Sequence, residues 1–239
     1  MEAIDLVEAT EPAIHDLPSA FMLDPATYQA SAEVGYVGAD FYFVGRAAVL
    51  GEVSGAVAAA AMVFFAPDAV AAAFERSGAV QPRHDAAQAF AEAGHRWARD
   101  HLAGEAAATV AELAGKLVAA APPAGAPLFA GWRELPEPSD PPAAAHHRLN
   151  ALRELRGALH GAAVLGVGLT PREALAMEHP AMAPIHGFGD DYPVADDRRP
   201  LLEAAHRATN VAFAPVLEVL TTAEADAFAA ACADLRAQM

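Results

Sequence analysis

Positive charge is scarce in this sequence: 15 basic residues face 31 acidic ones, the net charge is −16, and Lys116 is the single lysine. A field of that sign repels nucleic acid, whose non-specific affinity comes from Lys and Arg neutralising phosphates, and it is equally wrong for an anionic membrane surface. Cysteine is scarcer still. Cys232 alone excludes an internal disulfide and any multi-cysteine metal site; in its alanine-rich surroundings it reads as a small buried hydrophobe. Long apolar runs are also missing. The most apolar one, Ala56 to Ala66, is too short to span a bilayer and stops at Pro67-Asp68, so it reads as a buried core helix. The first residues, Met1 to Asp5, are acidic where a signal peptide needs a basic region, so a cytoplasmic protein is expected. Strand patterns are nearly absent, and Phe41 to Val44 fits a helix start better than a strand. No GxSxG, P-loop, HExxH or strand-linked GxGxxG motif occurs.

What remains is alanine and helical period. Hydrophobic residues make up 54% of the chain, much of it alanine, the best helix former and a poor filler of volume. Large side chains such as Phe41, Phe43, Phe64, Phe65, Trp97 and Phe213 must then supply most of the packing. The expected fold class is all-α, a helical bundle, in three segments. Residues 1–24 are acidic and interrupted by Pro12 and Pro18, so they read as a strap or frayed arm. Residues 25–177 form a helical body, opening at Asp24-Pro25 with aspartate as cap and proline at the first helical position. Residues 178–239 are a proline- and glycine-bearing loop followed by two helices, the second capped by Thr222 ahead of Glu224.

Within the body, Phe41 to Phe65 is a long apolar stretch whose Gly45, Gly51 and Gly55 suggest close helix contact. Asp68 is placed as the cap of a short helix, and helices follow over 85–101 and 105–120. The proline cluster from Pro122 to Pro142 is irregular, either a linker or a loop anchored on the bundle by Phe129 and Trp132. Thr170-Pro171-Arg172-Glu173 has the cap, N1 proline and first-turn acid of a helix start.

The helix over 143–166 carries the most chemistry. At about 100° per residue, Arg153, Arg156 and His160 share one narrow face, with His147, Asn150 and Glu154 on the neighbouring stripe. Leu152, Leu155 and Leu159 line the opposite, core-facing side. Surface helices scatter their charges; two arginines and a histidine on one strip suggest an anion-binding or acid–base wall, with Arg46 as a partner. Tyr42 lies one helical turn before Arg46, a candidate phenol for the same site or a core aromatic. The alternative is a solvated face, or buried arginines paired with acids such as Glu52 or Glu173. The ten histidines form no i, i+4 pair. His179 and His186 near Asp190 and Asp191 are a loop grouping whose spacing leaves cation binding open. No metal or cofactor is expected.

Two segments resemble one family known mainly from actinobacteria. Phe41-Tyr-Phe-Val-Gly-Arg-Ala-Ala-Val-Leu-Gly51, running on to Phe64-Phe-Ala-Pro67, is similar to its first signature. Leu152-Arg-Glu-Leu-Arg-Gly-Ala-Leu-His160, with Gly168-Leu-Thr170 and Glu173-Ala-Leu175, is similar to its second. The family is the SalK-like proteins, often labelled helix-turn-helix, and His147 falls where its members carry a histidine. The resemblance implies a helical body followed by a winged-helix-like part. This chain departs from the pattern in two ways. Ala158 stands where the family has an acid two before the histidine. The stretch from Glu178 to Arg198 offers no basic recognition helix, so the winged-helix-like C-terminal part is reduced; only Glu203 to Asn210 onward resembles the family's closing helices.

These features lead to one expectation and two alternatives. The expectation is a small-molecule-binding helical protein, or a cofactor-free enzyme of specialised metabolism, with an Arg/His-lined internal pocket of several hundred Å3 (order of magnitude). Arg46, His147, Arg153, Glu154 and Arg156 would bind an anionic or polar organic ligand, and His160 and Tyr42 would supply proton transfer. The alternatives are a winged-helix transcriptional regulator and a structural or partner-binding helical protein. The expected partner is a small molecule, with nucleic acid and membrane disfavoured and a homodimer open.

Overall fold

The computed structural model describes residues 2–239 apart from 190, 191, 193 and 195. Among these residues the chain is all helical, without a strand. The long central helix, α9 (Pro141–Gly166), packs against α1 (Ala3–Ala20), α6 (Arg83–His101), α7 (Gly104–Ala120), α8 (Pro127–Trp132), α10 (Pro171–Glu178) and α11 (Arg199–Leu217). Asp140 caps it by accepting from the Ala143 N–H, and two prolines follow where the first-turn N–H groups need no partner. Small residues bring its neighbours close: a Cβ on Gly94 of α6 would fall 2.3 Å from the His146 ring.

The first segment is a helix and not a strap. Leu6, Val7, Thr10, Ala13, Ile14 and Leu17 recur at helical spacing and are buried against α9, α11 and α12 (Thr222–Arg236). Pro12 and Pro18 sit inside this helix. An interior proline costs about 3 kcal/mol in an exposed helix, and burial of the apolar stripe offsets it here.

The apolar stretch 41–65 is divided. α3 (Asp40–Ala47) ends in a 3-10 turn at Gly51, whose φ of 74° is open to glycine and strained for other residues. α4 (Gly55–Ala61) then leaves at 92° to that segment. Val57 is half exposed, so the segment is only partly a core helix. Taken together the bent pair matches a membrane span in length and composition, but no single helix among the described residues does. α2 (Pro25–Val34) carries the Asp24 cap and Pro25 at its first turn as expected. α5 (Pro67–Ser77) begins with its own proline, and Asp68 lies in its first turn without serving as its cap. α10 has the full capping box between Thr170 and Glu173. In α12 the capping box belongs to Thr221, one residue before the expected Thr222, again with Glu224. Phe129 and Trp132 are buried in α8, which interrupts the proline-rich stretch and anchors it to the bundle.

One core cluster runs from Leu6 to Leu235. A second, smaller one (Val164, Leu169, Ala174, Leu202, Ala205) fixes the end of α9 against α10 and α11. That satellite core positions the polar groups described next.

Candidate functional site

The polar face of α9 divides into two halves. The first is closed. Glu154 takes two parallel bonds from Arg46, Nε to Oε1 and Nη2 to Oε2, each at 2.9 Å, and the remaining Arg46 Nη1 donates to the Tyr42 hydroxyl at 2.7 Å. Arg46 is 7% exposed and Glu154 3%. Burial opposes both charges, yet their mutual attraction wins: Arg46 is held above its ordinary pKa and Glu154 below the usual carboxylate range. The guanidinium also lies over the Tyr42 and Phe65 rings. Arg46 and Glu154 therefore neutralise one another, and the Tyr42 phenol is tied to the pair. Neither expected partner acid serves: Glu52 is exposed, and Glu173 is occupied by its capping box and Arg198.

The expected large internal pocket is not found there. The space beside the pair is about 50 Å3, room for a water or two and too small for an organic ligand. Gly157 and Ala158 line it. A larger open groove of about 480 Å3 lies between α1 and α12, away from the signature residues.

His147 belongs to a second closed group. Its Nδ1 is 3.1 Å from His95 Nε2, and His146 and Trp132 pack alongside. Burial pushes His146 down to about 3 and His147 to about 4, with the neighbouring His95 adding to both. Both rings are thus neutral at physiological pH, and His147 does not reach the Arg153 strip.

The second half is open. Arg153 makes one 3.4 Å contact with Glu154 Oε1. Arg156 donates to Asn210 Oδ1 at 3.0 Å and lies 3.5 Å from Glu11. A guanidinium has five donors, so both are under-used, and their side chains are only 16% and 15% exposed. Burial holds Arg156 below its ordinary pKa. His160 stacks on Phe64, and its Nδ1 lies 2.9 Å from the Thr209 hydroxyl. Its Nε2 points toward Glu178 at 3.9 Å, and Glu178 bonds His206 at 2.6 Å. Burial raises the Glu178 pKa, but the contacts with the two histidines reverse this and hold it well below the usual carboxylate range. The bond to Glu178 raises His206, against burial.

Glu178, His206, Thr209, Asn210 and Glu11 escaped the sequence reading because they reach this face from α10, α11 and α1. The one local signal is the spacing of His206, Thr209 and Asn210, which puts them on one side of a helix. Of the loop grouping left open above, the two histidines sit differently. His186 turns inward, donating to the Phe64 carbonyl at 2.8 Å and stacking on Phe65, while His179 is exposed. Asp190 and Asp191 lie outside the described residues.

Among the described residues the body is all helical, and a turn at Gly168 joins α9 to α10. The chain belongs to a helix-turn-helix family, whose model matches residues 7–192. No curated protein and no solved structure matches it.

Proposed function

We propose that this protein binds a small anionic or polar organic molecule at the half-buried strip of Arg153, Arg156 and His160, outside the sealed Arg46–Glu154 pair. The observation that carries this reading is the pair of under-used guanidiniums on adjacent turns of α9. A carboxylate or phosphate entering from the α1, α10 and α11 side would complete their hydrogen bonding in a sheltered setting, where charge-assisted bonds are strongest. The likeness of the two signatures to SalK-like proteins supports placing the site on this helix. Thermal-shift titration with inorganic phosphate, acetate, benzoate and citrate tests the reading. At least one should raise the melting temperature, and Arg156→Ala should abolish that shift in a folded protein. The absence of any shift, or a shift unchanged by Arg153→Ala and Arg156→Ala, contradicts it.

The family label favours a DNA-binding regulator as a second reading. Against it, α10, the short helix that follows α9, carries Arg172 against Glu173 and Glu178, and no strand forms a wing among the described residues. A recognition helix normally presents basic and polar groups to phosphates and base edges. Salt-sensitive retardation of duplex DNA at nanomolar protein would reverse this ranking.

A further inference from the structure

The geometry points to a divalent transition-metal site, of the zinc type, formed by His160, Glu178 and His206. It adjoins the anion site proposed above and shares His160 with it, and the expectation that the chain carries no metal site is revised by it. One ligand atom from each residue lies within 4.8 Å of the others. A tetrahedral zinc ion with bonds of about 2.0–2.2 Å needs donor atoms roughly 3.4 Å apart. Shifts of about 1 Å in these side chains would therefore suffice, and His206, the most exposed at 42%, has room to make them.

Two features prepare the site beyond mere proximity. Thr209 is fully buried and donates its hydroxyl proton to the Ala205 carbonyl at 2.7 Å. Its oxygen is thereby an acceptor, and the 2.9 Å contact with His160 Nδ1 fixes the ring proton on that nitrogen. The Nε2 lone pair is left facing Glu178. This is the outer-shell arrangement by which proteins set the tautomer of a ligating histidine. Second, the three ligands come from three helices, α9, α10 and α11, that the satellite core locks together. Neutral imidazoles and a carboxylate are donors suited to zinc and to similar first-row ions. The ion would replace the proton now shared between His206 and Glu178. Arg156 is the opposing charge nearby, and Glu11 and Asn210 hold it. Two histidines and one carboxylate would leave a fourth tetrahedral position open.

The experiment is titration of chelator-stripped full-length protein with zinc alone, by calorimetry, alongside His206→Ala, Glu178→Gln and Thr209→Val. The wild type should bind one ion at this site. His206→Ala and Glu178→Gln should each weaken it by more than the roughly 10–100-fold expected for Thr209→Val. Cobalt substitution should give visible absorption that the same two variants remove. Circular dichroism establishes that the variants are folded, and half-exposed His206 can be truncated without opening the core. Absence of one-to-one binding, or binding that persists unchanged in both ligand variants and so belongs to other histidines, overturns the proposal.

Discussion

Arg46–Glu154 and His206–Glu178 are both ion pairs anchored on or beside α9, and their surroundings separate them. The first is bidentate and sealed between α3 and α9, with Tyr42 consuming a further donor. The second is a single contact with a half-exposed histidine and another histidine nearby. Two carboxylate pairs on or beside one helix thus sit in two different settings. Where each guanidinium nitrogen is paired, the charges fix the packing of helices; where donors remain unpaired, they are the groups proposed above to meet a ligand.

The largest effect expected of a single substitution breaks the closed half. Glu154→Gln or Arg46→Met leaves one charge buried without its partner, which costs about 3–5 kcal/mol. The double variant Arg46→Met/Glu154→Leu should recover most of that loss, because an apolar pair of similar size replaces both charges. Urea denaturation checks both, and a double variant as unstable as the singles would show that the pair is not the source of the effect.

Next in size is pH. His146 and His147 are depressed when folded, so below the ordinary histidine pKa of about 6.5 the unfolded chain binds protons that the folded chain excludes. Stability from these groups is present above that pH and falls as pH drops toward about 4 and about 3, where the folded rings begin to protonate. Each excluded proton contributes a slope of about 1.4 kcal/mol per pH unit. The double variant His146→Leu/His147→Leu should flatten denaturation midpoints measured between pH 6.5 and 4, a range set by those same values; an unchanged slope would count against their burial as neutral rings.

The open half should respond weakly. Arg156→Ala loses one partly exposed pair and one hydrogen bond, so about 1 kcal/mol or less is expected by denaturation. His206→Ala in metal-free protein should change stability by no more than about 0.5 kcal/mol at neutral pH. A loss of several kcal/mol from either would make the open half structural as well.

The division of labour explains what the sequence disclosed. Local signals were legible. The Thr170 capping box, the Asp24-Pro25 start and the strip on α9 each depend on residues within one or two turns. α1 was hidden because its prolines and acids mask a regular buried stripe, and only tertiary packing against α9 and α12 overrides the breakers. The turn at Gly51 was hidden within an apolar run that reads as one helix. The strip itself was visible, but not which of its residues were already paired. Arg46 meets Glu154 across 108 positions, and His160 meets Thr209 across 49. No periodicity argument carries over such distances, so Glu154 passed for a ligand-binding group while Glu178 and His206 went unseen.

A pair of double-mutant cycles measured by denaturation at pH 7 tests the central claim most directly, one between Arg46 and Glu154 and one between Glu178 and His206. The account predicts a coupling of about 2 kcal/mol or more for the buried pair and below about 1 kcal/mol for the half-exposed one. Equal couplings, or a stronger one between Glu178 and His206, would contradict the division of the α9 face into a structural and a binding half.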